Sequence, residues 1–142
     1  NIKKIRSLYN KDTSDEILTE RYDYVVDAID MVSSKIHLIE TCEKKGLKII
    51  SSMGMGNKLD PTKIVVTDIH KTSTCPLAKV MRKELRDRGI KKLKVVYSTE
   101  QPIELKKKVM NGRKVTPGSV SFVPSVGGLI IASVIVNELL GQ

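Results

Sequence analysis

The sequence predicts an α/β fold on a mixed sheet: parallel strands first, antiparallel strands after them, and an apolar helix to close. Three observations predict it. Segments 22–29 and 48–52 are short runs rich in β-branched residues with a helical segment between them, and strand, helix, strand at this spacing is a right-handed crossover joining parallel strands. A further strand pattern, 62–69, follows too closely for a helical crossover and is expected to run antiparallel to its neighbour. Segment 126–140 is apolar almost throughout and is expected as a helix buried by packing or by a partner subunit. A chain of 142 residues suits one domain.

Taken in order, segment 2–9 alternates weakly and is expected as a strand. Thr13-Ser14-Asp15-Glu16 has the form of a capping box and opens a short helix to about residue 20. The unbroken run 22–29 is the kind of strand that a sheet covers on both faces. Ser33 or Ser34 is expected to cap a helix running to Lys45, with Ile36, Ile39 and Cys42 on one face and Gly46 as its stop. Met53-Gly54-Met55-Gly56-Asn57 is a loop leaving a strand end, and Leu59-Asp60-Pro61-Thr62 is a turn. Segment 76–88 is a helix with Pro76 at its first position. Its apolar stripe is Leu77, Met81 and Leu85, and Lys79, Arg82, Lys83 and Arg86 occupy another face. A strand follows at 93–98. The polar, Lys-rich stretch 101–117 is expected as a mobile loop, and 119–123 as a short strand.

Lys and Arg number 25 and Asp and Glu 16, a net charge of +9. Residues 47–142 hold 17 basic and seven acidic side chains, so the whole excess lies there. Such a surplus favours a polyanionic partner, nucleic acid above all; a solvated helix face beside a loop is the alternative that charge leaves open. One Phe, four Tyr and no Trp argue against a base-stacking platform. Two cysteines, Cys42 and Cys75, without a CxxC pair argue against a zinc ribbon or disulfide scaffold and fit a reducing, cytoplasmic setting. No apolar run reaches the ~20 residues that a membrane span needs, so no membrane partner is expected.

Ligands of open α/β sheets bind at the carboxyl ends of parallel strands. Asp27 and Asp30 stand there, with Ser33 close behind. A carboxylate at position 30 can hold Mg²⁺ against a phosphate; capping the next helix is the competing role. Gly54 and Gly56, beside Asn57, let backbone approach a ligand, or serve a flexible connector. Cys75 precedes Pro76 at a helix start, where a thiol is either a nucleophile of lowered pKa or a small cap. Lys71 lies in a polar loop with hydroxyls suited to phosphate. His37 and His70 have no triad-like partners and are read as surface or packing residues.

The run Tyr22-Asp23-Tyr24-Val25-Val26-Asp27-Ala28-Ile29-Asp30 resembles the acidic strand-end motif of the ThiF/MoeB/HesA superfamily, the ubiquitin-activating-enzyme-like adenylating enzymes. More narrowly, Ser51-Ser52-Met53-Gly54-Met55-Gly56-Asn57-Lys58-Leu59-Asp60-Pro61-Thr62 is similar to a segment of the tRNA threonylcarbamoyladenosine dehydratases. So are Asp68-Ile69-His70-Lys71-Thr72, Pro76-Leu77-Ala78-Lys79, Tyr97-Ser98-Thr99-Glu100 and the closing Gly118-Ser119-Val120-Ser121-Phe122-Val123-Pro124-Ser125-Val126-Gly127-Gly128.

The resemblance implies a Rossmann-like fold and an ATP- and Mg²⁺-dependent dehydratase, which adenylates the threonyl carboxylate of the modified adenosine in tRNA and closes a ring with loss of AMP. It assigns Asp30 to Mg²⁺ and triphosphate positioning. It places Asp27, Ser33, Gly54, Gly56 and Asn57 around the cofactor. Lys71, Lys79, Arg82, Lys83, Arg86, Lys106, Lys107 and Lys108 then fall to tRNA phosphates. The superfamily is commonly homodimeric. Its Gly-rich phosphate loop, ribose-binding acid and triphosphate-binding Arg and Lys belong to an N-terminal half, and this sequence has no GxGxxG. The chain is therefore read as residues 1–142 of a C-terminal half, expected to be inactive alone. Some relatives carry a Cys where Pro117 stands, and others an Asp where Cys75 stands. Two other readings remain: an activator of a ubiquitin-like sulfur carrier, working with a sulfur-mobilising partner, and a non-catalytic RNA-binding or dimerisation module.

Overall fold

A computed structural model describes residues 1–19, 21–107, 109–112 and 114–142, the side chain of residue 114 excepted. Four strands form one sheet in the order β1-β2-β4-β3: β1 (Val25–Asp27), β2 (Ile49–Ser52), β3 (Ile64–Asp68) and β4 (Lys94–Ser98). β1, β2 and β4 are parallel, and β3 runs antiparallel to β4. The antiparallel expectation for 62–69 holds, but its neighbour is β4, which inserts between β2 and β3.

Two helices cover one face of the sheet and a third covers the other. Val95 and Tyr97 of β4 turn toward α2 (Val32–Lys45) and α3 (Pro76–Asp87), where Ile36, Ile39, Met81 and Leu85 complete a core. Val96 points the other way and meets Ile50, Ile64 and residues Val123 and Ile131 of α4 (Phe122–Leu139). This alternation is the period-2 signature of a strand buried on both faces.

Helix boundaries follow from their ends. Gly46 stops α2 in the left-handed region at φ 65°, its N–H bonded to the carbonyls of Cys42 and Glu43. Met31, not a serine, occupies the N-cap; Ser34 Oγ instead donates to Tyr9 O at 2.7 Å and ties down the N-terminal segment. Cys75 caps α3, its Sγ accepting from Ala78 N–H, with Pro76 at the first helical position as expected.

Four expectations are corrected. Segment 2–9 forms no strand: its apolar residues Ile2, Ile5 and Leu8 are three apart and exposed, Ile2 by 88%, so no pleated face is buried. The capping box does not close, because Thr13 Oγ1 donates to Leu8 O and accepts from Asn10 N; α1 is a single turn, Ser14–Ile17, and residue 20 lies outside the described residues. Segment 101–117 contains a hairpin, β5 (Val109–Asn111) and β6 (Lys114–Thr116), turning at Gly112 with φ 59°. Segment 119–123 is no strand, since Phe122 already opens α4.

α4 buries only Val123, Gly127 and Ile131, while Leu129 is 70% exposed. Within this chain, then, α4 is buried along one stripe only, and packing against the sheet does not by itself account for its apolar length. By length and composition this helix is apolar enough to cross a membrane, which the longer sequence criterion passed over. Here it is docked on the sheet, and its C-terminal end is pinned by Glu138, which pairs with Lys94 and accepts from Tyr24 Oη at 3.2 Å.

Cys42 is fully buried in a third cluster with Leu18 and Leu38, and this burial pushes its thiol pKa up to about 11. An unfolded thiol ionises near 9. Between these values the folded chain holds a proton that the unfolded chain has lost, so stability falls as pH rises, by up to about 1.4 kcal/mol per pH unit. Cys42→Val removes this contribution. Urea midpoints from pH 8 to 11 are expected to fall less steeply in the variant than in the parent chain.

Candidate functional site

The carboxyl ends of β1 and β2 open onto a cleft of about 380 Å³. One wall is the arch between β1 and α2, with Asp30 exposed on it. A second wall is the loop leaving β2, with Gly54 and Gly56. The 117–119 segment and the first turns of α4 close the far side. A recess of about 290 Å³ adjoins it near the start of α3, bordered by Asp30, Asn57, Lys58 and Cys75. The structure thus brings Asp30, Gly54 and Gly56 to one cleft, and Asn57 and Cys75 to the recess beside it.

Asp27 does not face the cleft. It is 0% exposed, and Lys35, itself 1% exposed, places Nζ 2.9 Å from its Oδ2. Ser51 Oγ donates to the same oxygen at 2.5 Å, and Ile29 N–H donates to Oδ1 at 3.1 Å. With both oxygens occupied, the cofactor role expected for Asp27 is replaced by a structural one beneath the floor. Ser33 is exposed on the flank of α2, where it lines two shallow grooves outside the cleft.

The glycine loop owes its composition to packing. A Cβ on Gly56 would lie 2.9 Å from Pro117 Cβ, closer than carbon atoms approach, so the 117–118 segment can lie on the loop only because residue 56 has no side chain. Asn57 adopts φ 58° and clamps the same segment: its N–H donates to Gly118 O at 2.8 Å and its Oδ1 accepts from Gly118 N–H at 2.6 Å. Its carbonyl also accepts from Ile103 N–H. The Asn57 side chain is therefore engaged in holding the wall.

Lys58 and Glu100 secure the turn that follows. Lys58 is 2% exposed, and its Nζ donates to Ser98 O and Glu100 O. Burial holds its pKa below the usual lysine value, with the Glu100 charge acting against that. The Glu100 carboxylate accepts from the N–H groups of Leu59 and Asp60, which hold its pKa below the usual range. Cys75 is buried, and a Cβ added to Gly54 would meet its sulfur at 3.6 Å.

The expected basic residues divide. Lys71, Lys79, Lys83, Arg86, Lys106 and Lys107 are exposed. Arg82 is not available in the same way, because its guanidinium donates to Thr72 O at 2.8 Å and to Thr72 Oγ1, bracing the loop before α3. Lys108 lies outside the described residues. Sequence reasoning missed Lys35, Lys58 and Glu100. Lys35 had a signal: it shares the i, i+4, i+7 stripe with Ile39 and Cys42, where a cation is buried and so must be paired.

Among the described residues, no three His, Cys, Asp or Glu side chains gather to hold a metal. Asp30 alone leaves a free carboxylate at the cleft, which suits Mg²⁺ carried in on phosphates and not a protein-only cage. No Lys, Arg or His among the described residues lines the main cleft.

The ThiF family profile matches residues 1–142. The chain belongs to the ThiF family. The tRNA threonylcarbamoyladenosine dehydratase of Bacillus subtilis is 42% identical over 147 residues, covering 96% of this chain and 58% of that protein. Two crystal structures of the Escherichia coli dehydratase TcdA, in complex with AMP and with ATP, superpose with TM-scores of 0.84 and 0.83 at 27% identity. Each match covers 96% of this chain and 56% of TcdA, so this ThiF-family chain spans less than two thirds of the relatives it matches.

Opposite effects are expected at two glycines of the site. Gly56→Ala, meeting Pro117, destabilises by about 1–3 kcal/mol. Gly128→Ala meets nothing within 4 Å and, inside α4, stabilises by about 0.5–1 kcal/mol. Denaturant unfolding of both variants reads the two signs directly.

Proposed function

We propose that this ThiF-family chain is the C-terminal half of an ATP-dependent enzyme that adenylates and cyclises threonylcarbamoyladenosine in tRNA. The observation that carries the reading is Asp30: a carboxylate at the exit of a parallel strand, exposed on a cleft whose other described walls are glycines, apolar side chains and the serines Ser52 and Ser119. The whole-length match to the family and the dehydratases among its relatives support the substrate.

When bound, ATP supplies a leaving group. Displacing AMP from an activated carboxyl is far easier than displacing hydroxide, so one hard dehydration becomes two accessible steps. Asp30 positions the triphosphate, and would hold Mg²⁺ against it. Gly54 and Gly56 leave room for the reacting groups to approach main chain. The 117–119 segment and the first turns of α4 wall one side of the cleft and limit the approach of water from there, which would otherwise hydrolyse an activated acyl group.

The main cleft lacks a cation among the described residues, so the cationic groups for the triphosphate come from the N-terminal half in this reading. The exposed Lys79, Lys83 and Arg86 recur at i, i+4 and i+7 on α3 and contact tRNA phosphates, with Lys71, Lys106 and Lys107 extending the surface. Pairing of two copies through the outer face of α4 and action in the cytoplasm belong to the same reading.

Two experiments test it. In the full-length protein, ATP with modified tRNA is expected to release pyrophosphate and AMP, and Asp30→Ala to reduce this by at least about a hundredfold. Undiminished turnover in that variant removes Asp30 from the mechanism, and a requirement for a sulfur-carrier protein in place of tRNA favours the carrier-activating reading. Separately, Lys79→Glu, Lys83→Glu and Arg86→Glu together are expected to weaken tRNA binding and to lower the slope of log K against log salt by about 2–3. An unchanged slope leaves these residues as solvated surface.

A further inference from the structure

Directly beneath the cleft floor lies an ion pair that water does not reach. Asp27 closes β1 and Lys35 stands in the first turn of α2, and the intervening residues 28–34 form the arch that carries Asp30. The feet of this arch are bonded to each other and to the neighbouring strand. Lys35 Nζ donates to Asp27 Oδ2 at 2.9 Å and to Ser52 O at 2.8 Å. Asp27 also accepts from Ser51 Oγ and, through Oδ1, from Ile29 N–H within the arch. One ammonium thus joins β1, β2 and α2 at the point where the cleft begins.

We infer that Lys35 is a positioning residue: through its ion pair with Asp27 it fixes the arch so that the Asp30 carboxylate stands in the cleft. This rests on the reading of Asp30 given above. Stability alone does not account for the pair. An apolar pair of equal volume commonly stabilises a core at least as well, because burying two charges costs desolvation. What the ionic pair adds is direction. Its hydrogen bonds hold the ends of β1 and β2 and the start of α2 in one arrangement, and a methionine in place of Lys35 would let the arch slide. Lys35 does not itself line the cleft, and its effect passes through Asp27 to Ile29 and directly to Ser52, both of which do.

The test uses the full-length protein with both charges removed at nearly constant volume, Asp27→Asn with Lys35→Met. The folded variant is expected to lower kcat for pyrophosphate release by at least about tenfold, with KM for ATP changed far less. Added to Asp30→Ala, the same pair is expected to cost nothing further, since groups acting through one carboxylate are not additive. Amide exchange over residues 28–31, measured without any ligand, is expected to accelerate at least about tenfold while residues 36–42 of α2 stay protected. A wild-type kcat in the pair variant, or a loss that multiplies with that of Asp30→Ala, overturns the inference and leaves Asp30 in place. A wild-type rate in Asp30→Ala overturns instead the reading of the site. Lys35→Arg keeps the cation on a longer head and serves where the neutral pair does not fold. A reduced kcat with faster exchange at 28–31 supports the inference, and both unchanged overturn it.

Discussion

An ammonium group without water is tolerated in a protein only when its protons have acceptors and its charge has a partner. Lys35 meets that condition at a single place, where Asp27 Oδ2 and Ser52 O converge. The parallel ladder sets Asp27 opposite Ser51, so strand register alone brings the Asp27 carboxylate near the Ser52 carbonyl. The helix that delivers the lysine then has little freedom to shift along the sheet. Geometry at the carboxyl edge is thus fixed less by attraction, which solvent would also supply, than by the cost of every arrangement that leaves a buried charge unpaired.

The opposite wall follows from strand order. β4 inserts between β2 and β3, and β3 runs antiparallel to both. The carboxyl end of β2 and the beginning of β3 therefore share one edge of the sheet, and residues 53–63 travel along that edge past the end of β4. Beyond Met53, whose N–H still donates to Val96 O of β4, the segment crosses the strand end, so its polar groups need other partners. Asn57 meets Gly118 and Ile103, Glu100 meets the N–H groups of Leu59 and Asp60, and Lys58 reaches the carbonyls beyond β4. The glycine at 56 is required by this crossing, because Pro117 lies against it. What looked in sequence like a ligand-approach loop is first a crossing point between two chain segments.

The sequence made the regular elements readable where one physical signal dominated. Helical spacing with Gly46 and Pro76 as punctuation located α2 and α3, and β-branched runs located the four sheet strands. The weakly patterned ends were misread. Segment 2–9 has β-propensity without a partner, and propensity alone forms no strand. Gly112, free to take φ 59° just after the paired Asn111, is a turn signal that the lysine-rich surroundings obscured. At the site, position along the strand marked Asp30 correctly as facing the cleft. Spacing left Asp27 free to point either way, because the deciding fact is a lysine eight residues onward whose destination depends on tertiary packing. Arg82 illustrates the same limit: helical spacing groups it with Lys83 and Arg86, while the loop before α3 claims its guanidinium.

Charge and cleft are separated in this chain. The net charge is +9, yet among the described residues the main cleft shows one carboxylate and no cation. Lys58, the cation nearest to it along the recess, is committed to two backbone carbonyls, and Lys35 is committed below the floor. The exposed cations expected to meet tRNA stand on α3, just before it at Lys71, and ahead of the hairpin. Their field reaches about 8 Å at physiological salt, so it guides a polyanion to the surface without filling the cleft with its phosphates. If the cleft itself carried those cations, the backbone of a nucleic acid would compete with a nucleotide for the same space. Spending the two inward-facing lysines on structure removes that competition and leaves Asp30 as the one charge that a ligand entering the cleft must meet.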